Sequence, residues 1–450
     1  MQIDISESAG VSEALYQLRF KPVTSTMYER ICLYRELHSY LAFASLEDRE
    51  ILKDALKIEN QRHLNRIHAS QPLKLAYSCK FLAARISIPV ESHDLILGRT
   101  LELIPNATQL QEIDNGITQA LSNLDWIQDG GHETFDWEKI LQKGLEGLKN
   151  DVLAKADEVR AGRLAWEIPK YHVIMEDSAE GREKILDFLE SQVLIYEAMQ
   201  LYIQRYQAEA IANGLIHQAD VSMGIIKDPP TSFKAALQLI AFINHFYCTL
   251  VARNATLTLG RLDHLLNLYY QKDLHENKIT PDEALRLIED LYCKLNLILG
   301  RGEHQMGDGD RASATGWHRN PAYDTPIYII LGGQNPENNP PINTLSGLFI
   351  EALHPRFENP VVVVRYTTDM AKNYASFWKL LMDKVRQSAS IMIYNDNDII
   401  PALESLGIPH NDALNYTMHG CNWTDLQGSQ KLQHVIDRKS TRLNSSHRIR

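Results

Sequence analysis

Cysteine, basic charge and long apolar runs are all scarce in this sequence, and each scarcity excludes a class of protein. The five cysteines are scattered over 450 residues and form no Cys-x-x-Cys pair. This spacing excludes a disulfide framework and a zinc ribbon, and it suits a reducing compartment. Lys and Arg number 46 against 57 Asp and Glu, for a net charge of −11. Such an acidic balance argues against a surface that binds nucleic acid or an anionic membrane.

The sequence predicts neither a membrane span nor a signal peptide. The most apolar stretch, Leu237 to Ala252, contains Asn244 and His245 and is too short to cross a bilayer. The segment Met1 to Gly10 lacks a basic region followed by an apolar run. Because a hydrophobic fraction of 44% is ordinary for a globular protein, we expect a folded, cytoplasmic chain.

The end of the sequence does not resemble an evolved protein. Asp437 to His447 reads DRKSTRLNSSH, which is the translation of one frame of a common short-read sequencing adaptor. We therefore treat residues 437–450 as a non-native, adaptor-derived tail and predict no fold for it. We expect the native reading frame to continue past Ile436, so that the chain is a fragment.

Residues 1–320 are predicted to be mostly helical. Apolar residues recur at helical spacing in five segments, which are Met27–Ala44, Leu46–Ala69, Asp136–Ala161, Arg182–Ala212 and Thr231–Ala252. The clearest helix start is Thr280-Pro281-Asp282-Glu283, where Thr280 is the N-cap and Glu283 completes a capping box. The pattern predicts a helix from there to Gly300.

Residues 321–436 have short apolar runs separated by amphipathic helices, which is typical of parallel strands buried on both faces. The predicted strands are Pro326–Leu331, Pro360–Tyr366 and Ser390–Tyr394. The predicted helices are Asn343–Leu353, Met370–Arg386 and Ile399–Leu406. A further extended run, Leu414–Met418, leads into Gly420 and Cys421. Ligands of parallel α/β folds bind at the carboxyl ends of strands, so we expect the site at those ends.

Cys421 is the first candidate for chemistry, because it follows a flexible Gly420 at the end of a predicted strand. A lone cysteine is more often a buried structural thiol, and that alternative stays open. A metal site with His410 and His419 has too few ligands to be favoured.

Three other places allow a functional and a structural interpretation. Arg365 ends the second predicted strand and suits either a substrate carboxylate or a structural ion pair. His132 suits acid–base chemistry or a loop beside the helix cap at Asp136. The segment Asn395–Asp398 suits contacts with a polar substrate, or it caps the helix that begins at Ile399.

Segments between His132 and Asp425 follow the order of one enzyme family. They are GHETFDWEKILQKGLEGLK (Gly131–Lys149), DPPTSFKAALQL (Asp228–Leu239), TLGRLDHLLNLYY (Thr258–Tyr270), ITPDEALRLIEDLYCKL (Ile279–Leu295), Gly332-Gly333 with Asn343-Thr344-Leu345, ENPVVVVRYT (Glu358–Thr367) and MIYNDNDIIPALESLGIPHNDALNYTMHGC (Met392–Cys421). Together they resemble the glycyl radical enzymes of the pyruvate formate-lyase and glycerol dehydratase type. The last segment resembles the family's approach to its active cysteine.

The resemblance implies an α/β fold in which a helix-rich N-terminal part wraps on a ten-stranded α/β barrel, here incomplete at the C-terminus. Residues 1–436 are then a partial pyruvate formate-lyase-like domain, helix-rich over 1–320 and parallel α/β over 321–436, without the C-terminal glycine radical domain. Cys421 is implied to form a thiyl radical that abstracts hydrogen from the substrate. The substrate-pocket residues expected with it are His132, Asn422, Trp423, Asp425 and Arg365.

The resemblance also implies partners. A glycyl radical on a C-terminal loop oxidises the cysteine in this family, and a separate radical-SAM activating enzyme with an iron–sulfur cluster installs that radical. We expect no metal and no other bound cofactor, a small-molecule substrate, and a homodimer when the protein is full length. We expect no nucleic-acid or membrane partner.

This sequence departs from the family's pattern in ways that narrow the reaction. Dehydratases of the family carry Gly-Cys-Val-Glu, in which Glu is the general base, whereas this sequence has Trp423 at that position. An indole has only an N–H donor and cannot accept a proton, so Asp425 is either the alternative base or a helix or turn cap. The sequence has no adjacent Cys-Cys pair, which disfavours acetyl transfer to coenzyme A. None of its 23 glycines precedes a tyrosine, so it lacks the family's Arg-Val-x-Gly-Tyr radical loop.

We therefore expect a glycyl radical enzyme, of lyase or acyltransferase type, that cleaves a C–C or C–heteroatom bond in a small polar substrate. The chain by itself is expected to be inactive. Two alternatives stay open: a glycerol or diol dehydratase-like activity with a non-standard base, and a non-catalytic paralogue that keeps the barrel as a binding scaffold.

Overall fold

A computed structural model describes much of the chain between residues 71 and 426. The described residues are 47–48, 51, 54, 71–92, 94–100, 133–162, 179–251, 257–296, 327–336, 339–354, 359–368, 370–387, 390–419 and 423–426. The predicted helix at Met27–Ala44, most of the one at Leu46–Ala69 and the tail from Asp437 lie outside them.

Helices predominate in the described residues up to Asn296, as the sequence predicts. The helices are α1 (Gln71–Ala83), α2 (Trp137–Arg160), α3 (Ala179–Ala212), α4 (Ile216–Lys227), α5 (Phe233–Phe246), α6 (Leu262–Leu265), α7 (Asn267–His275), α8 (Pro281–Asn296), α9 (Thr344–Glu351), α10 (Met370–Asn373), α11 (Ala375–Val385), α12 (Asp396–Ser405) and α13 (His410–Leu414). The predicted helices at Asp136–Ala161, Arg182–Ala212 and Thr231–Ala252 correspond to α2, α3 and α5.

Helix α2 is interrupted at Gly144, where φ is 65° and ψ is 177°. A Cβ atom at this position would lie 3.0 Å from the backbone nitrogen of Pro229. The break therefore needs glycine, both for its left-handed backbone and for the close approach of the segment that leads into α5.

Helix α5 is the centre of the helical layer. It continues as a π-helical turn, Tyr247–Val251. Phe233–Val251 is long and apolar enough to cross a membrane by composition, with a mean hydropathy of 1.2, yet 89% of its most apolar window is buried inside the fold. That burial is what a core helix of a globular domain requires. Tyr202 of α3 packs edge-on against Phe246, with ring centroids 5.7 Å apart.

The capping box predicted at the start of α8 is confirmed. The backbone N–H of Glu283 donates to Thr280 Oγ1 at 3.2 Å, and the backbone N–H of Thr280 donates to Glu283 Oε2 at 2.8 Å. Two of the backbone donors at the start of the helix region are thereby satisfied. Helix α8 is described as far as Asn296, and the predicted end at Gly300 lies outside the described residues.

Five parallel strands form one sheet in the order β1-β2-β3-β4-β5. They are β1 (Glu133–Thr134), β2 (Leu257–Arg261), β3 (Tyr328–Gly332), β4 (Val361–Tyr366) and β5 (Ile391–Asn395). The last three are the strands that the sequence predicts, and their parallel arrangement is confirmed. The sequence does not predict β1 and β2, which lie in the part expected to be mostly helical. Strand β1 has only two residues and β2 runs directly into α6, so neither has a clear strand pattern.

Strands β2, β3 and β4 are covered on both faces, which explains why most of their residues are apolar. Ile329 and Val362 belong to the large core shared with the helices. Tyr328, Ile330 and Val363 point the other way, into a smaller core with α12 and α13. Strand β5 is the last strand of the described sheet and is only partly buried.

The extended run predicted at Leu414–Met418 is a strand, β6 (Tyr416–His419), but it does not join the parallel sheet. It pairs antiparallel with β7 (Trp423–Leu426), with Tyr416 opposite Leu426. Tyr416, Met418 and Leu426 belong to the smaller core. This core lies on the sheet face that carries Tyr328, Ile330 and Val363, which we call the inner face. The hairpin is thus held on the sheet by apolar contacts as well as by the polar contacts described below.

Helix α12 starts earlier than the sequence predicts, at Asp396 rather than Ile399. Its N-cap is Asn395, whose side-chain oxygen accepts from the backbone N–H of Asn397 at 3.2 Å. The helix therefore begins directly at the end of β5, and Asp396 lies in its first turn.

Candidate functional site

Strand β6 of the hairpin runs along the inner face of the sheet, antiparallel to β2. Near its base, Arg261 at the carboxyl end of β2 donates through Nη1 to the carbonyl of Leu414 at 3.3 Å. Nearer its tip, Thr258, the second residue of β2, donates through Oγ1 to the carbonyl of Met418. The chain therefore advances from residue 414 to residue 418 while β2 is followed backwards from 261 to 258.

This direction puts the tip of the hairpin toward the amino ends of β1 and β2. Thr134 of β1 is in register with Thr258, and Glu133 is in register with Leu257. The last pair of the hairpin is His419 opposite Trp423, one residue past Met418. Gly420, Cys421 and Asn422, which connect the two strands, lie outside the described residues, and so does His132, which precedes β1.

The sequence predicts a site at the carboxyl ends of the strands. The carboxyl ends of β2, β3 and β4 hold a dense, buried polar network, and a cavity opens beside it. Arg365, at the end of β4, has no exposed surface and forms an ion pair with Asp396, with Nε 2.9 Å from Oδ1 and Nη2 2.9 Å from Oδ2. Its Nη1 donates to the carbonyls of Leu414 at 3.0 Å and Tyr416 at 3.2 Å.

Arg365 is therefore fully engaged within the protein. All three guanidinium nitrogens have protein acceptors, and the guanidinium carbon lies 3.9 Å from the centre of the Tyr416 ring. Of the two roles that the sequence leaves open for Arg365, this geometry corresponds to the structural ion pair and leaves no donor directed at a substrate. The tyrosine hydroxyl completes the group by donating to Asp396 Oδ1 at 2.6 Å.

A second buried arginine lies beside the first. Arg261 Nη2 donates to the carbonyls of Gly332 at 2.8 Å and Gly333 at 3.0 Å. Burial, followed by the positive charge of Arg365, lowers the pKa of Arg261 to about 9. Arg261 Nη2 is also 3.2 Å from Nε2 of His264. Because a guanidinium has only donors, that imidazole nitrogen accepts and His264 is neutral; burial lowers the pKa of His264 as well.

Asp263 connects this network to the next strand and helix. Its Oδ2 accepts from the backbone N–H of Gly332 at 2.7 Å and from Ser346 Oγ at 2.6 Å. Its backbone carbonyl accepts from the side-chain amide of Asn343 at 2.9 Å. Asp263 thus ties the end of β3 to the first turn of α9.

Two glycines let the network close. Gly332 and Gly333 have φ values of 71° and 88°. A Cβ atom on Gly333 would lie 2.6 Å from Arg365 Nε and 2.7 Å from Asp396 Oδ2. The Gly-Gly pair is therefore needed where the chain turns over the ion pair.

Asp425 lies in β7 of the hairpin and is the expected pocket residue there whose side chain is described. It is fully buried, and it sits opposite Thr417 in the register. Its Oδ1 accepts from the backbone N–H of Leu426 at 2.8 Å. Alternate residues of a strand share a face, so position 425 shares a face of β7 with position 423 and is about 7 Å further from the tip.

A polar cavity of about 830 Å³ opens beside the network, at the carboxyl ends of β1, β2 and β3. Its wall includes Arg261, His264, Asn335 and Asp412. Leu426, at the base of the hairpin, also lines it. The cavity therefore lies at the opposite end of the hairpin from the His419–Trp423 pair.

Of the residues considered for a metal site, His410 has a described side chain. Within the described ranges, no group of three His, Cys, Asp or Glu side chains is placed to hold a metal ion. His410 is exposed at the start of α13, and its Nδ1 contacts Glu404 Oε1 at 2.5 Å. His419 is described only in its backbone, and Cys421 lies outside the described residues.

Sequence reasoning missed most of the carboxyl-end network. Arg261 and Asp263 read as a helix start, and Tyr416 reads as one apolar residue of a strand. The one signal was Gly332-Gly333, since two adjacent glycines after a buried strand indicate close backbone packing. Burial and pairing of Arg261 and Tyr416 depend on chain segments that are far apart in sequence.

Comparison with known proteins extends over most of the chain. The profile of the family described as "Pyruvate formate lyase-like" matches residues 56–438. Isethionate sulfite-lyase of Nitratidesulfovibrio vulgaris is 25% identical over 351 residues, which are 75% of this chain and 38% of that protein. (2S)-3-Sulfopropanediol dehydratase of Klebsiella oxytoca is 28% identical over 359 residues, again 75% of this chain and 38% of that protein.

Solved structures show the same fold. The glycerol-bound form of the B12-independent glycerol dehydratase from Clostridium butyricum matches with a TM-score of 0.65 and 21% identity, covering 91% of this chain and 56% of that one. A glycyl radical enzyme from Archaeoglobus fulgidus matches with a TM-score of 0.66 and 18% identity, covering 92% of this chain and 55% of that one. The chain thus has the helix-rich α/β fold of these enzymes, and it spans well under half the length of the curated relatives it matches.

Proposed function

The chain belongs to the pyruvate formate lyase-like family, and we propose that it is the cysteine-bearing part of a glycyl radical lyase. Relatives named as a sulfite-lyase and as a dehydratase support cleavage of a carbon–heteroatom bond in a small polar substrate. Acyl transfer, the other class that the family includes, lacks support here, since Cys421 has no cysteine neighbour.

The observation that carries the proposal is the direction of the β6–β7 hairpin. The His419–Trp423 pair at its tip lies toward the amino ends of β1 and β2, and residues 420–422 connect its strands in sequence. His132 directly precedes β1 in sequence. A thiol in such a connection would meet its substrate on the inner side of the sheet, away from the polar cavity at the carboxyl ends.

The proposed step is a hydrogen transfer at Cys421. A glycyl radical, which the family carries on a loop that this sequence lacks, supplies the oxidising equivalent to the thiol. The Cys421 sulfur then takes a hydrogen atom from the substrate, so that an S–H bond forms and a C–H bond breaks. The substrate radical then loses its neighbouring heteroatom group as an anion, together with a proton from the substrate hydroxyl, so that the unpaired electron stays on the carbon that carried the group. Return of the hydrogen atom from Cys421 to that carbon completes the product and regenerates the sulfur radical.

The roles of the neighbouring residues follow from chemistry and register. His132 and Asn422 would bind the polar groups of the substrate, since both carry hydrogen-bonding side chains next to described ends of β1 and the hairpin. Trp423 would close the pocket as an apolar wall, because its indole cannot accept a proton. Arg365 would not contact the substrate and would act by holding the base of the hairpin.

A diol dehydratase-like activity is the second candidate, and it needs a base other than residue 423. Asp425 supports it, because this buried carboxylate shares a strand face with position 423. Trp423 equally supports a non-catalytic paralogue that uses the fold as a scaffold. Replacing Asp425 with Asn separates the two, since loss of turnover with retained folding would identify the carboxylate as the base.

The direct test begins with the gene. We would amplify past codon 436, express the complete protein without oxygen, and treat it with a radical-SAM activating enzyme, its proposed partner. We expect a glycyl radical doublet in electron spin resonance and turnover of a sulfonate or diol substrate. Cys421→Ala should keep the radical and lose turnover. A complete gene without the radical loop, or full turnover in Cys421→Ala, would contradict the proposal.

Two further expectations accompany the proposal and are tested on the same material. The family resemblance favours a homodimer for the complete protein, which light scattering would measure. A cytoplasmic location suits the oxygen-sensitive chemistry and the buried thiols Cys79, Cys248 and Cys293, which are not in disulfides.

A further inference from the structure

The Arg365–Asp396 pair makes more contacts with the hairpin than an ion pair between two strands requires. Arg365 Nη1 donates to two carbonyls of the chain that enters the hairpin, those of Leu414 and Tyr416. The Tyr416 ring lies against the guanidinium, and its hydroxyl donates to Asp396 at 2.6 Å. Three side chains from β4, α12 and β6 therefore form one closed group, which we call the hairpin clamp: Arg365, Asp396 and Tyr416.

The hairpin depends on such contacts because its own hydrogen bonds do not fix it to the sheet. Strands β6 and β7 pair with each other and form a sheet separate from the five parallel strands. An isolated two-stranded hairpin is marginally stable. Besides apolar packing, the ties of β6 to the parallel strands in the described residues come from side chains: the clamp, Arg261 to the carbonyl of Leu414, and Thr258 to the carbonyl of Met418.

The clamp lies at one end of the hairpin and the connecting residues at the other. Tyr416 is the first residue of β6, and Cys421 follows it by five positions. A rotation or slip at Tyr416 would be carried along four paired positions to the connection at 420–422. Because a displacement of about 1 Å at a reacting group costs about a hundredfold in rate, the base of the hairpin bears directly on chemistry at its tip.

Stability alone does not explain a clamp of this composition. Apolar residues of similar volume often replace a buried ion pair without loss of stability. An ion pair with bidentate geometry and two further carbonyl contacts instead fixes the direction and register of the segment that it holds. Residue 333 is a glycine that leaves room for this ion pair, since any Cβ atom there would collide with Arg365 and Asp396.

We propose that Arg365, Asp396 and Tyr416 are positioning residues that fix the base of the β6–β7 hairpin and so set the position of Cys421. The inference rests on the proposed function for the role of Cys421, but the clamp itself is tested without radical chemistry. It gives Arg365 a part in the reaction other than substrate contact.

The test uses hydrogen exchange and thiol alkylation on the 450-residue chain. Tyr416→Phe keeps the ring and removes only the hydroxyl that donates to Asp396. We expect amides of the β6–β7 pairs to exchange about tenfold faster, the effect of losing one hydrogen bond to a charged group. Amides of the β3–β4 pairs should keep their rates. Alkylation of Cys421 by iodoacetamide should speed up with the hairpin, whereas the buried Cys79, Cys248 and Cys293 should stay unreactive.

Arg365→Lys is the second variant. A lysine keeps the charge beside Asp396 but cannot reach the two carbonyls at the same time. The hairpin amides should again exchange selectively faster. Tyr366→Phe and Arg386→Lys are the matched controls, because Tyr366 follows Arg365 in β4 and Arg386 forms an exposed pair with Asp383. Both controls should leave the hairpin rates unchanged.

Two results would overturn the proposal. Equal acceleration of the β6–β7 and β3–β4 amides, with the buried cysteines becoming reactive, would mean that the clamp only stabilises the fold. Unchanged hairpin exchange in both variants would mean that other contacts position it. The role of Cys421 is tested separately, by Cys421→Ala in the complete enzyme. Retained turnover in that variant would contradict the proposed function but would not change the hydrogen-exchange result for the clamp.

Discussion

The guanidinium of Arg365 and the carboxylate of Asp396 form a bidentate pair at 2.9 Å with no exposed surface on either side chain. The pair joins the carboxyl end of β4 to the first turn of α12. In such a place an ion that loses its partner costs far more free energy than the pair contributes. The consequences for stability can be measured.

Asp396→Ala is expected to lower the free energy of unfolding by about 3–5 kcal/mol, because it leaves Arg365 charged and buried without its counter-ion. Urea unfolding would measure the loss. Asp383→Ala is the matched control: Asp383 pairs with Arg386 at 2.7 Å, but both side chains are exposed. Its cost should be about 1 kcal/mol or less. Equal losses in the two variants would contradict the burial argument.

Gly333→Ala is expected to destabilise the protein through collision with the same ion pair. Its Cβ would lie 2.6 Å from Arg365 Nε, and its φ is 88°. Gly407 has a similar φ of 84° but open space around it. Gly407→Ala therefore measures the backbone cost alone, about 1 kcal/mol. The loss in Gly333→Ala should exceed it by about 2 kcal/mol, and equal losses would show that the pair moves aside freely.

Thr280→Ala should lower the free energy of unfolding by about 1 kcal/mol, because it removes the side-chain acceptor of the α8 capping box. Thr280→Ser keeps the hydroxyl and should lose only a small part of this. Thermal melting of both variants beside the parent chain would show the difference. A loss in Thr280→Ser as large as in Thr280→Ala would point to the methyl group instead.

Stability should fall with acidification through His245. Burial, followed by the positive charges of Lys294 and Arg99, lowers the pKa of His245 from 6.5 to about 3. Between these values the unfolded chain binds a proton that the folded chain does not, so the free energy of unfolding falls as the pH drops. The slope from this one group is up to about 1.4 kcal/mol per pH unit.

His245→Gln tests that slope by removing the titrating group. Urea unfolding between pH 6 and 4 (about two pH units, or about 2–3 kcal/mol for this group) should then be less pH-dependent than in the parent chain. His275→Gln, at the exposed end of α7, is the control and should keep the parent slope. The explanation is wrong if both variants follow the parent.

Trp423→Glu should create a general base at the position that the indole now occupies. In the complete, activated enzyme we expect diol dehydration to rise by about a hundredfold or more, the usual contribution of a positioned base. Trp423→Gln introduces a side chain of the same size as glutamate but without a carboxylate, and it should give no such gain. A gain in both variants would show that removing the indole, and not adding the base, opens the reaction.

Local patterns of the sequence determined much of the secondary structure. The capping box at Thr280 and Glu283 requires only residues three apart, and it forms as predicted. Strands β3 and β4 are mostly apolar because both of their faces are buried, and β5 has a similar apolar run although it is only partly buried, so these sequences indicate parallel strands. The family resemblance, and with it the fold, also came from segments read in order along the chain.

Tertiary structure decided which residues meet. Strand β1 has two residues and no periodicity, and it exists because β2 lies beside it. The pattern of Leu414–Met418 suggests one more strand of the sheet, but the strand formed there, β6, pairs with β7. Its packing against the inner face of the sheet, which the sequence pattern does not contain, fixes the direction in which it runs.

Arg365 shows the physical reason most clearly. Its sequence position is compatible with a substrate contact and with an ion pair, and the choice depends on Asp396 and Tyr416, which are 31 and 51 residues away. A buried charge takes whichever partner the fold brings to it, because leaving it unpaired costs too much free energy. The sequence determined that a strand ends in an arginine, and the packing of α12 and the hairpin against that strand decided what the arginine holds.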